Sequence, residues 1–94
     1  MNNYEVEATE AFMNKLLIII DRIKEDRPTV AKKLRKEILQ IVKSLRKMPF
    51  RYRQSIYFED ENTRDLIFKG FTIIYEIQNE KVVVFSIVKH QSIP

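Results

Sequence analysis

The stretch that decides the fold is residues 64–90, RDLIFKGFTIIYEIQNEKVVVFSIVKH. Within it, two sets of side chains alternate, which is the period-two pattern of a strand with one face on a core. One set is Phe71, Ile73, Tyr75 and Ile77, and the other is Thr72, Ile74 and Glu76. Residues 78–81 are polar and typical of a hairpin loop. Residues 82–88 are apolar on both faces apart from Ser86, as in a strand that other elements cover. The sequence therefore predicts an antiparallel hairpin around which the rest of the chain is arranged.

Composition predicts one small domain that spans residues 1–94 and carries no cofactor. The chain has no cysteine and one histidine, which excludes a disulfide framework and a zinc site with several nitrogen or sulfur ligands. A single glycine excludes glycine-rich phosphate-binding loops. The apolar run at residues 16–20 is much shorter than the roughly 20 residues of a membrane span, and the N-terminus is unlike a signal peptide. We therefore expect a cytoplasmic protein that binds neither a metal nor a membrane.

The net charge of +4 is unevenly distributed along the chain. Between Arg27 and Arg53 the only acid is Glu37, whereas acids gather at the N-terminus and at residues 59–61. A cluster of one sign is typical of a surface for nucleic acid or for an acidic protein partner. A solvated helix face is an equally good explanation, although the cluster continues beyond the predicted helix. Its basic residues are Arg27, Lys32, Lys33, Arg35, Lys36, Lys43, Arg46, Lys47, Arg51 and Arg53.

Upstream of the hairpin, the pattern predicts a short strand and two amphipathic helices. Residues 3–7 alternate between apolar and acidic side chains, which indicates a weak strand. Apolar residues recur at three- and four-residue spacing over residues 9–25 and 28–46, and Pro28 fits the first turn of the second helix. The expected apolar stripes are Phe12, Leu16, Ile19 and Ile23 in the first helix, and Val30, Leu34, Ile38, Ile41 and Leu45 in the second.

The segment between the helices and the hairpin predicts further strands. Residues 50–58 are aromatic and read as extended, which would put Arg51 and Arg53 on one face. Residues 63–68 predict a strand, and Lys69-Gly70 the tight turn into the hairpin. The complete order predicts an α+β domain with an N-terminal strand, a two-helix hairpin and an antiparallel sheet of three to four strands. One sheet face and one edge would remain available to a partner.

In this order the elements resemble the RelE/ParE superfamily, the growth-arresting toxins of bacterial type II toxin–antitoxin pairs. The resemblance covers nearly the whole chain and depends on the ordered set, because each motif alone is a short strand or turn signal. It implies a RelE/ParE-like fold and a cognate antitoxin with which the chain forms a hetero-oligomer. The motifs are LRKMP at 45–49, RDL at 64–66, GFTIIY at 70–75, NEKVVVF at 79–85 and the basic pair at 89–90.

RelE-like members of the superfamily cut messenger RNA on the ribosome. A ribose 2′-hydroxyl attacks the adjacent phosphate, which requires a base, an acid and cations. The resemblance implies an arginine after the Gly-aromatic pair, two lysines on the preceding strand and an arginine near the C-terminus. This chain has Thr72 at the first position, Thr63 and Asp65 at the second and third, and Ser92 at the last. The set of cations that a nuclease needs is therefore depleted.

If the chain were nevertheless a nuclease, His90 and Arg64 would be its catalytic candidates. His90 would serve as a general acid, as in some relatives, and its alternative is an exposed residue at the end of a strand. Arg64 would bind phosphate, and its alternative is an ion pair with Glu59 or Asp60.

Four further basic residues are candidates for binding. Arg51 and Arg53 lie in an aromatic segment and suit RNA backbone contacts or an acidic antitoxin segment. Lys69 and Lys89 could contact phosphate. Lysines at turns and strand ends, however, commonly serve only to keep the turn or the strand end solvated.

ParE-like members inhibit DNA gyrase and do not cut RNA, and they share a long helical hairpin with this chain. The hairpin and the depleted nuclease positions favour a ParE-like gyrase inhibitor. One alternative is a RelE-like endonuclease whose partners are the ribosome and its messenger RNA, and another is an inactive member that only binds its partner. Whether the chain is an enzyme therefore stays open at this point.

Overall fold

The structure, a computed structural model, describes residues 3–90, and in this range two α-helices pack on one face of a five-stranded sheet. The predicted α+β class is thereby confirmed. The elements in chain order are β1 (Glu5–Ala8), α1 (Glu10–Asp26), α2 (Pro28–Lys43), β2 (Arg53–Gln54), β3 (Thr63–Phe68), β4 (Phe71–Gln78) and β5 (Lys81–Lys89), with 3-10 turns at Ser44–Arg46 and Pro49–Arg51.

The sheet is mixed, with the strand order β1-β5-β4-β3-β2 over the described residues. Strands β3, β4 and β5 are antiparallel neighbours, as predicted. Strand β1 lies parallel to β5, with Val6 opposite Val82, and the two residues of β2 pair with β3. The expectation of three to four antiparallel strands therefore missed one parallel pairing. Periodicity identifies a strand but does not reveal a partner that is distant in sequence.

Two tight turns join the three central strands. Lys69 and Gly70 both have positive φ, at 47° and 82°, as the two-residue turns that match strand twist require. At the second turn, Asn79 takes the left-handed conformation with φ of 51°, which asparagine tolerates better than most residues. Both predicted hairpin connections are therefore confirmed.

The helical hairpin has defined starts and a short link. Thr9 caps α1 by accepting a hydrogen bond from Phe12 N at 3.1 Å, and Pro28 opens α2. Arg27 connects the helices, and its N–H donates to the carbonyl of Ile23 at 2.8 Å. No helix among residues 3–90 is long and apolar enough to cross a membrane.

The helices bury a slightly different stripe from the one predicted. Val30 is exposed, while Ile19, Ile23 and Ile41 lie half-buried at the border of the core. The stripe that begins at Ala31 and the one that begins at Val30 share Leu34, Ile38 and Leu45, and both use only three- and four-residue steps, so periodicity alone could not choose between them. The buried helical residues are Phe12, Leu16 and Ile20 in α1, and Ala31, Leu34, Ile38 and Val42 in α2, with Leu45 in the following turn.

Tyr75 and Phe71 face the helices from β4 and belong to the core, as predicted. The Tyr75 hydroxyl donates a hydrogen bond to the carbonyl of Pro49 at 2.5 Å. Burial raises the pKa of Tyr75 far above its ordinary value, so this side chain is a neutral phenol. It ties β4 to the segment that follows α2.

The prediction that residues 50–58 are extended and place Arg51 and Arg53 on one face is wrong. Arg51 ends a 3-10 turn, Arg53 begins the two-residue strand β2, and an irregular loop follows. The Arg64 side chain holds the backbone of this segment in place. Its Nη1 donates to the carbonyls of Phe50 at 3.3 Å and Tyr52 at 3.1 Å. These side-chain contacts take the place of strand pairing along the segment.

Candidate functional site

The two faces of the sheet have different surroundings, and the candidate residues are divided between them. Leu66, Ile73 and Tyr75 lie on the helix-side face and belong to the core. Successive side chains of a strand point to opposite faces. The opposite face, here called the distal face, therefore carries Thr63, Asp65, Thr72, Ile74 and Glu76.

The distal face holds the positions at which an RNA-cutting relative is expected to have cations. Thr63, Asp65 and Thr72 are all buried and engaged within the chain. The Thr63 hydroxyl donates to Asp60 Oδ2 at 3.0 Å, and Thr72 Oγ1 is hydrogen-bonded to His90 Nε2. These three positions therefore place a buried carboxylate and two hydroxyls where the nuclease chemistry requires positive charge.

Asp65 organises the edge of this face. Its Oδ2 accepts from Arg53 Nη2 at 3.2 Å and from the backbone N–H of Ile56 at 3.1 Å. Its Oδ1 is buried and has no hydrogen-bond partner in the part of the chain that the structure describes. Arg53 is thus occupied by an internal ion pair, and the carboxylate would repel a phosphate brought to the distal face.

His90 and Arg64, the two catalytic candidates, are not brought together. His90 lies just beyond β5, where its ring contacts Thr72 and its backbone N–H donates to the carbonyl of Gly70 at 2.8 Å. Arg64 on β3 lies directly opposite Tyr75 on the neighbouring strand β4, so both side chains project from the helix-side face. One phosphate could not contact both groups. Among residues 3–90, no cluster of three or more histidine, aspartate or glutamate side chains is placed to hold a metal ion.

The contacts of the Arg64 side chain are internal and hold the fold together. Besides its two contacts to residues 50 and 52, its Nε donates to the carbonyl of Glu61 at 2.8 Å, and its guanidinium stacks over the Phe50 ring at 5.0 Å. The expected ion pair with Glu59 or Asp60 is therefore wrong. A guanidinium has five donors, which suits the joining of several carbonyls better than one carboxylate would.

The binding candidates Arg51, Lys69 and Lys89 lie at separate places. The Arg51 Nη2 donates to the hydroxyl of Tyr52 at 2.8 Å, and this hydrogen bond raises the pKa of Arg51. Lys69 forms an ion pair with Glu37 on α2 at 2.9 Å. Lys89 is exposed at the end of β5. Ser92, the remaining position compared with the nucleases, lies outside the described residues.

A groove that the sequence pattern did not predict lies between β1 and α2, with a volume of about 550 Å³. Its floor is apolar and its rim is basic. The recurrence of lysines along one side of α2 could have indicated the rim, but the strand beside it depended on the parallel pairing of β1. The floor consists of Val6, Ala8, Leu39 and Val42, and the rim of Lys32, Arg35, Lys36, Gln40 and Lys43.

Strand β1 contributes backbone groups to this groove. The N–H groups of Glu5 and Thr9 donate to Glu80 and Val84, each at 2.9 Å, so these positions face β5. Because alternate residues of a parallel strand bond to opposite sides, the backbone groups of Val6 and Ala8 point away from β5, toward the open edge of the sheet beside the groove. Among the strands formed by residues 3–90, β1 lies at one edge of the sheet. Such an edge can accept a further strand from a partner.

Comparisons with known proteins extend over nearly the whole chain. A family model described as the ParE toxin of the type II toxin–antitoxin system parDE matches residues 6–94. A search of curated proteins found no match. A structure of the chromosomal ParDE toxin–antitoxin system from P. aeruginosa aligns with a TM-score of 0.79 and 18% identity, covering 94% of this chain and 97% of that chain. The toxin–antitoxin complex RelBE2 from Mycobacterium tuberculosis aligns with a TM-score of 0.65 and 16% identity, covering 95% and 99%.

Proposed function

Because the chain belongs to the ParE toxins of type II toxin–antitoxin systems, we propose that it arrests bacterial growth by inhibiting DNA gyrase in the cytoplasm. The distal face carries this proposal. Thr63, Asp65 and Thr72 replace the expected cations and are buried and engaged within the chain. Inhibition of gyrase requires a binding surface and no catalytic group, so it is compatible with this face.

The electrostatics of the distal face support the same proposal. Cleavage of RNA builds up negative charge on the phosphate and its oxygens, and cations in the site must stabilise that charge. On this face the Arg53 guanidinium is paired with Asp65, whose second oxygen is buried. A phosphate there would meet the Asp65 carboxylate, whose charge Arg53 only partly neutralises, while Arg64 lies on the opposite face of the sheet. The arrangement favours an inhibitor over an enzyme.

We further propose that a cognate antitoxin holds this toxin in a hetero-oligomer through the groove between β1 and α2. The structurally similar chains come from toxin–antitoxin systems, which supports such a partner. The apolar floor suits apolar anchors, the basic rim suits acidic side chains, and β1 offers hydrogen bonds to an added strand. The expected segment is therefore acidic, with apolar side chains at intervals.

Growth arrest by the His90→Ala variant is expected to equal that of the wild type. Under the gyrase proposal His90 only bonds to Thr72, whereas removal of a general acid would lower a nuclease rate by about 10²–10⁴. Both proteins should be expressed in bacteria while DNA breaks, protein synthesis and transcript integrity are followed. We expect DNA breaks with intact messages for both.

Rapid transcript cleavage that depends on His90 would instead support the RelE-like endonuclease and overturn the gyrase proposal. Growth unaffected by the wild-type chain would support the alternative of an inactive member that only binds its partner. A Thr72→Val variant is a useful control, because it removes the partner of His90 and leaves the imidazole in place.

A further inference from the structure

Three consecutive large apolar side chains project from the loop between β2 and β3. Ile56, Tyr57 and Phe58, here called the 56–58 projection, are 67%, 48% and 45% exposed. Exposed apolar residues are common singly, but a contiguous group of large ones commonly marks an interaction site. The fold does not need these surfaces for its core, because the buried cluster excludes all three.

Hydrogen bonds hold the projection in place from below. The N–H of Ile56 donates to Asp65 Oδ2 at 3.1 Å, and that of Tyr57 donates to the Ser55 hydroxyl at 3.1 Å. Ser55 is itself buried, and its N–H donates to the carbonyl of Thr63 at 2.7 Å. A loop whose backbone is fixed in this way loses little backbone entropy when its side chains bind a partner.

The far end of the loop is fixed as well. Asp60 accepts from the Asn62 N–H and from the Thr63 hydroxyl, both at 3.0 Å, and these hydrogen bonds lower the pKa of Asp60 below its ordinary value. The Phe58 ring packs edge-on against Phe85 of β5 at 5.6 Å between centroids. The projection is therefore anchored to both β3 and β5.

The two grooves that flank the projection are acidic, and the nearby Arg53 guanidinium, which shares Asp65 Oδ2 with the Ile56 N–H, is paired with that carboxylate. Grooves of about 660 Å³ and 500 Å³ lie on either side of Phe58, and no basic side chain from the described residues lines either of them. Their acidic members are Glu59, Asp60, Glu61 and Glu76. This surface is the electrostatic opposite of the groove between β1 and α2, where the rim is basic.

We propose that the 56–58 projection is the surface that binds the toxin's protein target, with Ile56 and Tyr57 entering an apolar pocket that has a basic rim. The acidic surroundings select a basic protein surface and disfavour nucleic acid, whose phosphates they would repel. A few buried anchors, tyrosine prominent among them, supply most of the affinity at protein interfaces. The inference rests on the proposed function, in which the target is a protein.

The first test removes the apolar anchors. The Ile56→Ser/Tyr57→Ser protein is compared with Leu17→Ser/Ile18→Ser, which removes similar exposed apolar surface from α1. The probes are inhibition of DNA supercoiling by purified gyrase holoenzyme and growth arrest on expression, with melting curves to check folding. The projection variant should need at least about 30-fold more protein to inhibit gyrase, the loss expected from one strong anchor. The α1 variant should act like the wild type.

The second test reverses the charge around the projection. Glu59→Lys/Glu61→Lys is compared with Asp21→Lys/Glu25→Lys on α1, which changes the net charge equally. Weaker inhibition and weaker arrest by the first variant alone are expected. Stronger inhibition of gyrase by that variant would overturn the inference, because the acids would then not attract a basic surface, and RNA cleavage by it would overturn the inference by identifying nucleic acid as the ligand.

Other results separate the inference from the proposed function. If wild-type toxin leaves gyrase active, the gyrase proposal fails, yet growth arrest lost only in the two projection variants would still support a different protein target. Growth arrest retained by both variants overturns the inference. Sedimentation would also overturn the inference if it showed that the projection joins two copies of this chain and that the projection variants lose only this self-association.

Discussion

Replacing Lys32, Lys36 and Lys43 with glutamate is expected to slow association with the cognate antitoxin by about 10²–10³-fold at low salt. These lysines belong to the rim of the groove between β1 and α2. Their field should attract an acidic segment before contact is made, and charge reversal turns that attraction into repulsion. Stopped-flow measurements of the association rate constant at several salt concentrations provide the measurement.

The matched control replaces Lys24, Lys33 and Lys47 with glutamate. These lysines are exposed but do not line the groove, so the control has the same net charge as the groove variant. Each set also removes one lysine from the last turn of a helix, which equalises the loss of favourable charge at a helix C-terminus. Equal slowing by both sets, or a wild-type association rate that ignores ionic strength, would contradict the groove assignment.

Truncating Ile38 to alanine is expected to lower the free energy of unfolding by about 2–5 kcal/mol. Ile38 is 0% exposed in the middle of α2, where it belongs to the core shared with the sheet. Such a loss is a large share of the roughly 5–15 kcal/mol that stabilises a typical domain. Val30→Ala, at a position 48% exposed on the same helix, should change stability by about 0.5 kcal/mol or less.

Denaturant unfolding of the wild type and the two variants would measure both values. An Ile38→Ala midpoint equal to that of the wild type would show that α2 does not pack as the structure has it. A large loss in Val30→Ala would instead favour the stripe that the sequence pattern first indicated.

Local patterns predicted most elements of this fold because short-range physics determines them. The alternation over residues 63–68 and 71–77 and the turn at Lys69-Gly70 all have direct backbone causes. Pairings between distant segments were not predictable in this way. The parallel contact of β1 with β5 depends on how the helical hairpin returns the chain, and the groove exists only as a result of that contact.

The candidate site was predicted only in part, for a related reason. Strand alternation already implies that Arg64 points away from Thr63 and Asp65, so its separation from the distal face was present in the sequence. The contact between His90 and Thr72 was not, since it depends on the register that joins β4 to β5. The 56–58 projection has no periodic pattern, because side-chain hydrogen bonds hold it and no regular ladder does.

Inhibition of gyrase without cleavage of RNA can be tested with one purified preparation of the wild-type toxin in two parallel assays. One assay follows DNA supercoiling by gyrase, and the other follows cleavage of messenger RNA on translating ribosomes. A buried, acid-containing distal face predicts that supercoiling is inhibited and the messenger RNA stays intact at the same toxin concentrations. Messenger RNA cut within the ribosome while supercoiling proceeds unchanged would contradict the proposal that this toxin inhibits gyrase.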